Sequence, residues 1–164
     1  MGFLDRLRGR EHPDDDAPPE VDAAPLDASE DAMEPMESVS TRPPTPEEEA
    51  ELEEARTRYA ARGIDPSDLA SIAAAYDQAL EEAAHEGTVS ECVTVLATAI
   101  GDHLTGHGYR WVVSTDPFGT DLAVEPPRRK VPVVVHSLVA VRWMQRDSGW
   151  VEPVVGHLAR AGSR

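Results

Sequence analysis

The sequence predicts an α+β domain behind an acidic tail: three N-terminal helices, a small three-stranded antiparallel meander, then two C-terminal helices. Three observations carry this reading. From Thr45 to Leu104, apolar residues recur at helical spacing between capping signals. Two β-rich runs then flank Asp116-Pro117-Phe118-Gly119, a turn sequence with Pro second and Gly last. Beyond a further β-rich run, Ser137 and Pro153 stand where helix starts are expected.

The domain is expected to begin at Thr45. Thr45-Pro46-Glu47-Glu48 reads as a capping box with Pro at the first helical position, and the first helix is expected to run to Arg62 and stop at Gly63. A second helix, capped by Asp65, carries Leu69, Ile72, Ala73, Tyr76 and Leu80 on its inner stripe. A third spans Val89 to Leu104, with Val89, Val93, Leu96, Ile100 and Leu104 at helical period and Gly106 and Gly108 closing it. Tyr109–Thr115 and Thr120–Val124 are the hairpin strands, and Val131–Val135 is the expected third strand, which Pro132 makes begin at an edge or pair on one side. Ser137 caps a helix from Leu138, and a last helix covers Trp150 to Arg160. The expected core is Leu69, Ile72, Val93, Leu96, Ile100, Leu104, Trp111, Val113, Leu122, Val124, Val133, Val135, Leu138 and Val141.

Two zones precede this domain. Residues 1–10, MGFLDRLRGR, form a short basic amphipathic segment with Phe3, Leu4 and Leu7 at helical spacing. Burying these three contributes about 1.5–3 kcal/mol each. Ordering the peptide costs a comparable amount, and each Arg near an anionic leaflet adds about 1 kcal/mol. The balance describes weak, reversible contact with a membrane surface. The same side chains suit a partner's groove, and a frayed terminus is the plain alternative. Residues 11–44 are acidic and Pro-rich, with eleven carboxylates and no Lys or Arg between Glu11 and Ser40. Their apolar content is too sparse to offset ordering entropy, so an unstructured linker is expected.

Bulk composition excludes several classes. A net charge of −16, from 31 acidic and 15 basic side chains, argues against a dedicated nucleic-acid binder. Cys92 is the single cysteine, which leaves no intrachain disulfide or thiolate cluster and fits a reducing cytosol. No run approaches the roughly 18 apolar residues of a membrane span. Asp5, Arg6 and Arg8 interrupt any signal-peptide core, and Arg6 stands where an N-acylation signal needs Ser or Thr.

Gly101-Asp102-His103-Leu104, Tyr109-Arg110-Trp111-Val112-Val113, Asp116-Pro117-Phe118-Gly119-Thr120-Asp121-Leu122-Ala123-Val124 and Val139-Ala140-Val141-Arg142-Trp143 follow one another in order. Together they resemble an uncharacterised domain family of small bacterial proteins, frequent in actinobacteria. That family has a glycine near a helix end, a Trp-containing strand, an acidic hairpin turn ending in Gly, and a basic residue in the next helix. The resemblance spans residues 66–146 and departs from the family at the short, proline-rich connection Glu125 to Lys130. It implies the α+β order and no catalytic residue or cofactor.

Candidate chemistry is sparse. His103 and His107 stand four apart beside Asp102, a spacing that suits a metal site if the helix continues. The plainer reading is a pair of helix-end histidines complementing the dipole. Ser114 or Ser137 with His136 and Asp116 or Asp121 lacks a nucleophile elbow. Cys92 falls inside the third helix and reads as a buried thiol. Asp116, Asp121, Arg142 and Trp111 form a candidate interaction patch, with Arg142 facing the hairpin as an ion pair or an aromatic stack.

The leading expectation is therefore a non-enzymatic, cytosolic protein-interaction module without a cofactor. Its partner is an unidentified protein, and Phe3, Leu4 and Leu7 tether it to a membrane surface or a second protein. One alternative is a small hydrolase or metal-dependent enzyme using Asp102, His103 and His136. Another is an acidic chaperone-like or immunity-type binder of a basic partner.

Overall fold

The computed structural model describes residues 39–82, 89–128 and 131–163. In chain order its elements are β1 (Ser40–Arg42), α1 (Pro46–Arg56), α2 (Leu69–Glu82), α3 (Val89–Thr105), β2 (Arg110–Asp116), β3 (Gly119–Glu125), α4 (Val135–Gln145) and α5 (Val151–Gly162). A 3-10 turn, Ala60–Arg62, separates α1 from α2. Five helices and one three-stranded antiparallel sheet among the described residues make an α+β fold. None of these helices is long and apolar enough to cross a membrane. The segment with Phe3, Leu4 and Leu7, and the linker as far as residue 38, lie outside the described residues.

α3 organises the rest. Each of α1, α2, α4, α5, β2 and β3 packs against it. The expected stripe Val93, Leu96, Ile100 and Leu104 is buried, and so are Val95, Ala97, Thr98 and Ala99 between them. From Val95 to Ile100 the helix is buried on every side, while Ser90, Glu91 and Thr94 of its first turns stay exposed. The buried Thr98 hydroxyl donates to the Thr94 carbonyl at 2.9 Å, so burial leaves it satisfied. Cys92 is buried in the same helix.

The sheet differs from expectation in its third strand. β2 and β3 pair along their whole length, from Arg110↔Glu125 to Asp116↔Gly119. The remaining strand is β1, paired on the other edge of β2 through Ser40↔Thr115, Thr41↔Ser114 and Arg42↔Val113. Val131–Val135 contributes one antiparallel bridge, Val133 to Val124. Pro132 has no N–H to extend that ladder, and Val135 already begins α4. β1 falls inside the stretch 11–44 read as an unstructured linker, so the domain starts earlier than Thr45. Its Ser-Thr-Arg sequence buries no apolar surface; the backbone ladder and a bond from Thr41 Oγ1 to Glu125 Oε1 (3.3 Å) hold it.

Helix boundaries show where local signals compete. The capping box at α1 is present: Glu48 N–H donates to Thr45 Oγ1 (3.3 Å), and Thr45 N–H to Glu48 Oε2 (2.7 Å). Arg42 adds a two-pronged pair to the Glu48 carboxylate, 2.7 Å on each arm, which ties β1 to the helix start. α1 stops at Arg56 rather than Arg62, because the chain tightens into the 3-10 turn before Gly63 takes a positive φ of 65°. α2 is capped by Asp68, whose Oδ1 accepts from Ala70 N–H (3.0 Å). Asp65, the expected cap, instead closes a turn by accepting from Ser67 N–H at 2.8 Å. α4 begins at Val135 without a side-chain cap, so Ser137 lies inside the helix, exposed.

That earlier start rotates the apolar stripe of α4. Val135, Val139 and Trp143 are its buried residues, four apart, while the expected core residue Val141 is 44 % exposed. Leu69, Trp111, Leu122, Val133 and Leu138 are half-buried, and the other expected core residues are buried. The C-terminal helices close the core through aromatics. Trp143 and Trp150 meet Tyr76 edge-on at 5.7 and 5.4 Å between ring centres, a favourable quadrupole geometry. The Arg142 guanidinium lies 4.6 Å over the Trp150 ring. Arg146 donates to the Leu80 carbonyl at the end of α2 (2.8 Å).

Two outcomes follow from this packing. Ile100 is fully buried in α3. Truncating it to Ala is expected to lower unfolding free energy by ~2–5 kcal/mol in urea titration; a change within 0.5 kcal/mol, on the order of a surface substitution, would show that α3 is not the core. The hydrogen bonds from Arg42 and then from the Thr45 backbone hold the Glu48 carboxyl down to about 2. A depressed pKa contributes stability above the unfolded value and loses it as pH falls through the folded one. NMR titration of the Glu48 side chain should therefore give a midpoint near 2, and one at the ordinary glutamate value of about 4.3 would mean the Arg42–Glu48 pair does not form.

Candidate functional site

Three places among the described residues bear on a functional site: the last turns of α3 against α1 and β2, the hairpin tip, and a cleft between α3 and α5.

The first is a saturated carboxylate. Asp102 Oδ2 accepts from Arg56 Nε at 2.8 Å and from the Tyr59 hydroxyl at 2.9 Å. Its Oδ1 accepts from Arg56 Nη2 at 2.6 Å and from the Trp111 indole N–H at 3.0 Å. Four donors occupy the lone-pair directions a carboxylate offers. Burial pushes the Asp102 carboxyl up, but the hydrogen bonds from Arg56, Trp111 and Tyr59 outweigh it and hold the group below its usual range. Burial, and then the Asp102 charge, push the Tyr59 phenol up, so it stays a donor. Gly101 lets the indole come this close: a Cβ there would lie inside the Trp111 ring.

This geometry removes Asp102 from both chemical roles expected of it. A carboxylate with four donors and a lowered pKa does not serve as general base, and it points at Arg56 rather than joining its neighbours as a metal ligand. His103 Nδ1 lies 2.9 Å from the Pro66 carbonyl and therefore carries its proton there. His103 and His107 do meet, their rings 4.8 Å apart. Among the described residues no three His, Cys, Asp or Glu side chains group to hold a metal ion. His136 sits exposed in the first turn of α4. The trio Asp102, His103 and His136 is not assembled.

The second place is the hairpin tip. Asp116 Oδ1 accepts from Phe118 N–H (2.8 Å) and Gly119 N–H (3.1 Å), which fixes the turn. Gly119 has φ +157°, a conformation L side chains rarely adopt. Thr115 and Thr120 join hydroxyls across the strands at 2.9 Å. This rigid turn presents Phe118 97 % exposed.

The patch expected from Trp111, Asp116, Asp121 and Arg142 does not come together. Trp111 turns inward to Asp102, and Arg142 is engaged with the Trp150 ring and with the Leu138 carbonyl (3.4 Å). Asp116 is committed to the turn, and Asp121 is exposed on β3 opposite Ser114. The residue overlooked was Phe118 itself; its place at the third position of a two-strand turn was the available signal.

The third place is an open cleft of about 460 Å³ where His103 of α3 and His107 of the turn after it face Gly156, Ala159 and Arg160 of α5. No family model, curated protein or solved structure matches the chain.

Removing the Asp102 charge tests the carboxylate's role. Asp102→Asn keeps the shape but offers fewer acceptor sites, and its amide opposes Arg56. The variant is expected to lose roughly 2–3 kcal/mol of stability and to shift the Trp111 indole N–H resonance, leaving those of Trp143 and Trp150 in place. An unmoved Trp111 resonance would show that the indole does not bond to this carboxylate.

Proposed function

We propose that this protein is a non-enzymatic protein-interaction module and that the β2–β3 hairpin tip is its docking element. The observation that carries this is Phe118, 97 % exposed on a turn already fixed by Asp116. An isolated exposed hydrophobe is ordinary on a protein surface. A phenyl ring held out by a pre-formed turn is better placed for binding, since little further ordering entropy is lost when it docks. Burying such a ring in a partner contributes about 1.5–3 kcal/mol. Asp121 is exposed nearby on β3, and the chain carries −16 overall. The fitting partner is a protein with an apolar pocket and a basic rim, reached faster through charge attraction. In this reading the protein works in the cytosol, and Phe3, Leu4 and Leu7 give it a second, weaker foothold on a membrane surface or another protein. Membership of the domain family that the Gly101–Trp143 block resembles belongs to the same proposal.

The test is a comparison of captured proteins. Native full-length protein and Phe118→Asp, with equal melting temperatures, serve as bait in extract of the source cell. The proposal expects at least one protein retained by the native bait and lost from the variant, with the same loss in Phe118→Ala. An identical set on all three baits would overturn the docking role of the tip.

A further inference from the structure

We propose that the α3–α5 cleft is a binding site for a small organic carboxylate with an apolar body, held by Arg160 and walled by Leu69 and Ala159. This site shares no residue with the hairpin tip and stands whether or not the tip docks a partner.

The cleft has the size of a small-molecule site, about 460 Å³. Its chemistry is unusual for a chain of net charge −16: no carboxylate lines it among the described residues. The Arg160 guanidinium folds back along α5 over Gly156, with Nη1 3.4 Å from where a Cβ would stand. Leu69 Cδ2 approaches the same point at 3.6 Å. Any larger residue at Gly156 would fill this floor.

Arg160 has no ion pair or hydrogen bond among the described residues. Its position near the end of α5 suggests a helix-capping role, yet other groups already take those carbonyls. Ser163 donates to Ala159 O through both N–H (3.2 Å) and Oγ (3.1 Å), and the Tyr109 hydroxyl takes Leu158 O at 2.8 Å. The guanidinium is left turned toward the cleft, a planar fork whose geometry matches a carboxylate.

The histidines supply the rest of the polar wall. His103 is buried, 7 % exposed, and its Nδ1–H is spent on Pro66. With that bond made, the opposite nitrogen has no hydrogen-bond partner among the described residues. The His107 ring lies beside it, tilted by 52°, and is 3.5 Å from Ser163 Oγ through Nδ1. A planar acid would set its carboxylate on Arg160 and its body between Leu69 and Ala159. Inorganic phosphate offers charge without that body and would gain only part of the contact.

The experiment uses full-length protein and three probes followed by two-dimensional NMR: benzoate, the neutral isostere benzamide, and inorganic phosphate. Benzoate is expected to shift the amides of Gly156, Arg160, His107 and Ser163 in a saturable way. Benzamide should leave them in place, and phosphate should bind at least tenfold more weakly than benzoate. Arg160→Gln should weaken benzoate at least tenfold, and Gly156→Leu should abolish its binding, each with the remaining spectrum folded as in the native chain. No saturable shift with benzoate, equal binding of benzamide, equal binding of phosphate, or an unchanged affinity in Arg160→Gln would each overturn the proposal. Should Gly156→Leu fail to fold, the Arg160→Gln result decides alone.

Discussion

The convergence of four donors on the Asp102 carboxylate holds the sheet to the helices. α3 supplies the acceptor, α1 supplies Arg56, the turn after it supplies Tyr59, and β2 supplies Trp111. A carboxylate drawn largely out of water, as the half-buried Asp102 is, is costly unless its charge is paired and its lone pairs are filled. Here both conditions are met, and each depends on a different element being in register. Gly101 is the steric half of the same constraint, because the indole occupies the space a side chain would need. Loss of either half leaves the other without a reason to hold its place.

Adjacent residues of one helix point about 100° apart, and α3 uses that turn by turn. Asp102 faces α1 and β2, while His103 faces Pro66 and the cleft beside α5. The helix therefore carries a structural anchor and a wall of an open cleft on consecutive residues. This explains why grouping Asp102 with His103 and His107 by sequence spacing misleads. Proximity along the chain places the backbones of Asp102 and His103 together and their side chains on different faces, while the rings of His103 and His107 meet.

What the sequence made legible was whatever depends on local periodicity or local turn chemistry. α3 follows from its 3.6-residue repeat, the α1 cap from Thr45 and Glu48, and the hairpin from Asp116 and Gly119. β1 was not legible, since Ser-Thr-Arg has no apolar alternation and is recruited by the open edge of β2. The inner face of α4 differs from expectation because the helix starts at Val135, two residues before the apparent cap at Ser137. The donors around Asp102 come from 46, 43 and 9 residues away, beyond the reach of any spacing rule. One trace of them is present in the sequence: a glycine inside an otherwise strong helix, which asks for a packing reason.

The two proposed sites differ in how they are held, and that difference bears on what each would do. The tip of the hairpin is fixed by bonds within four residues, Asp116 to Gly119. Its conformation owes little to the core, so it is suited to presenting a ring to a partner without disturbing the domain. The cleft is assembled from α2, α3 and α5, and one wall, His103, follows directly on Asp102. A ligand bound there would brace helices that already pack on one another, and would stabilise the fold in proportion to its affinity for the native state. As proposed, the tip would serve recognition, whereas a small acid in the cleft would act on the stability of the helical layer.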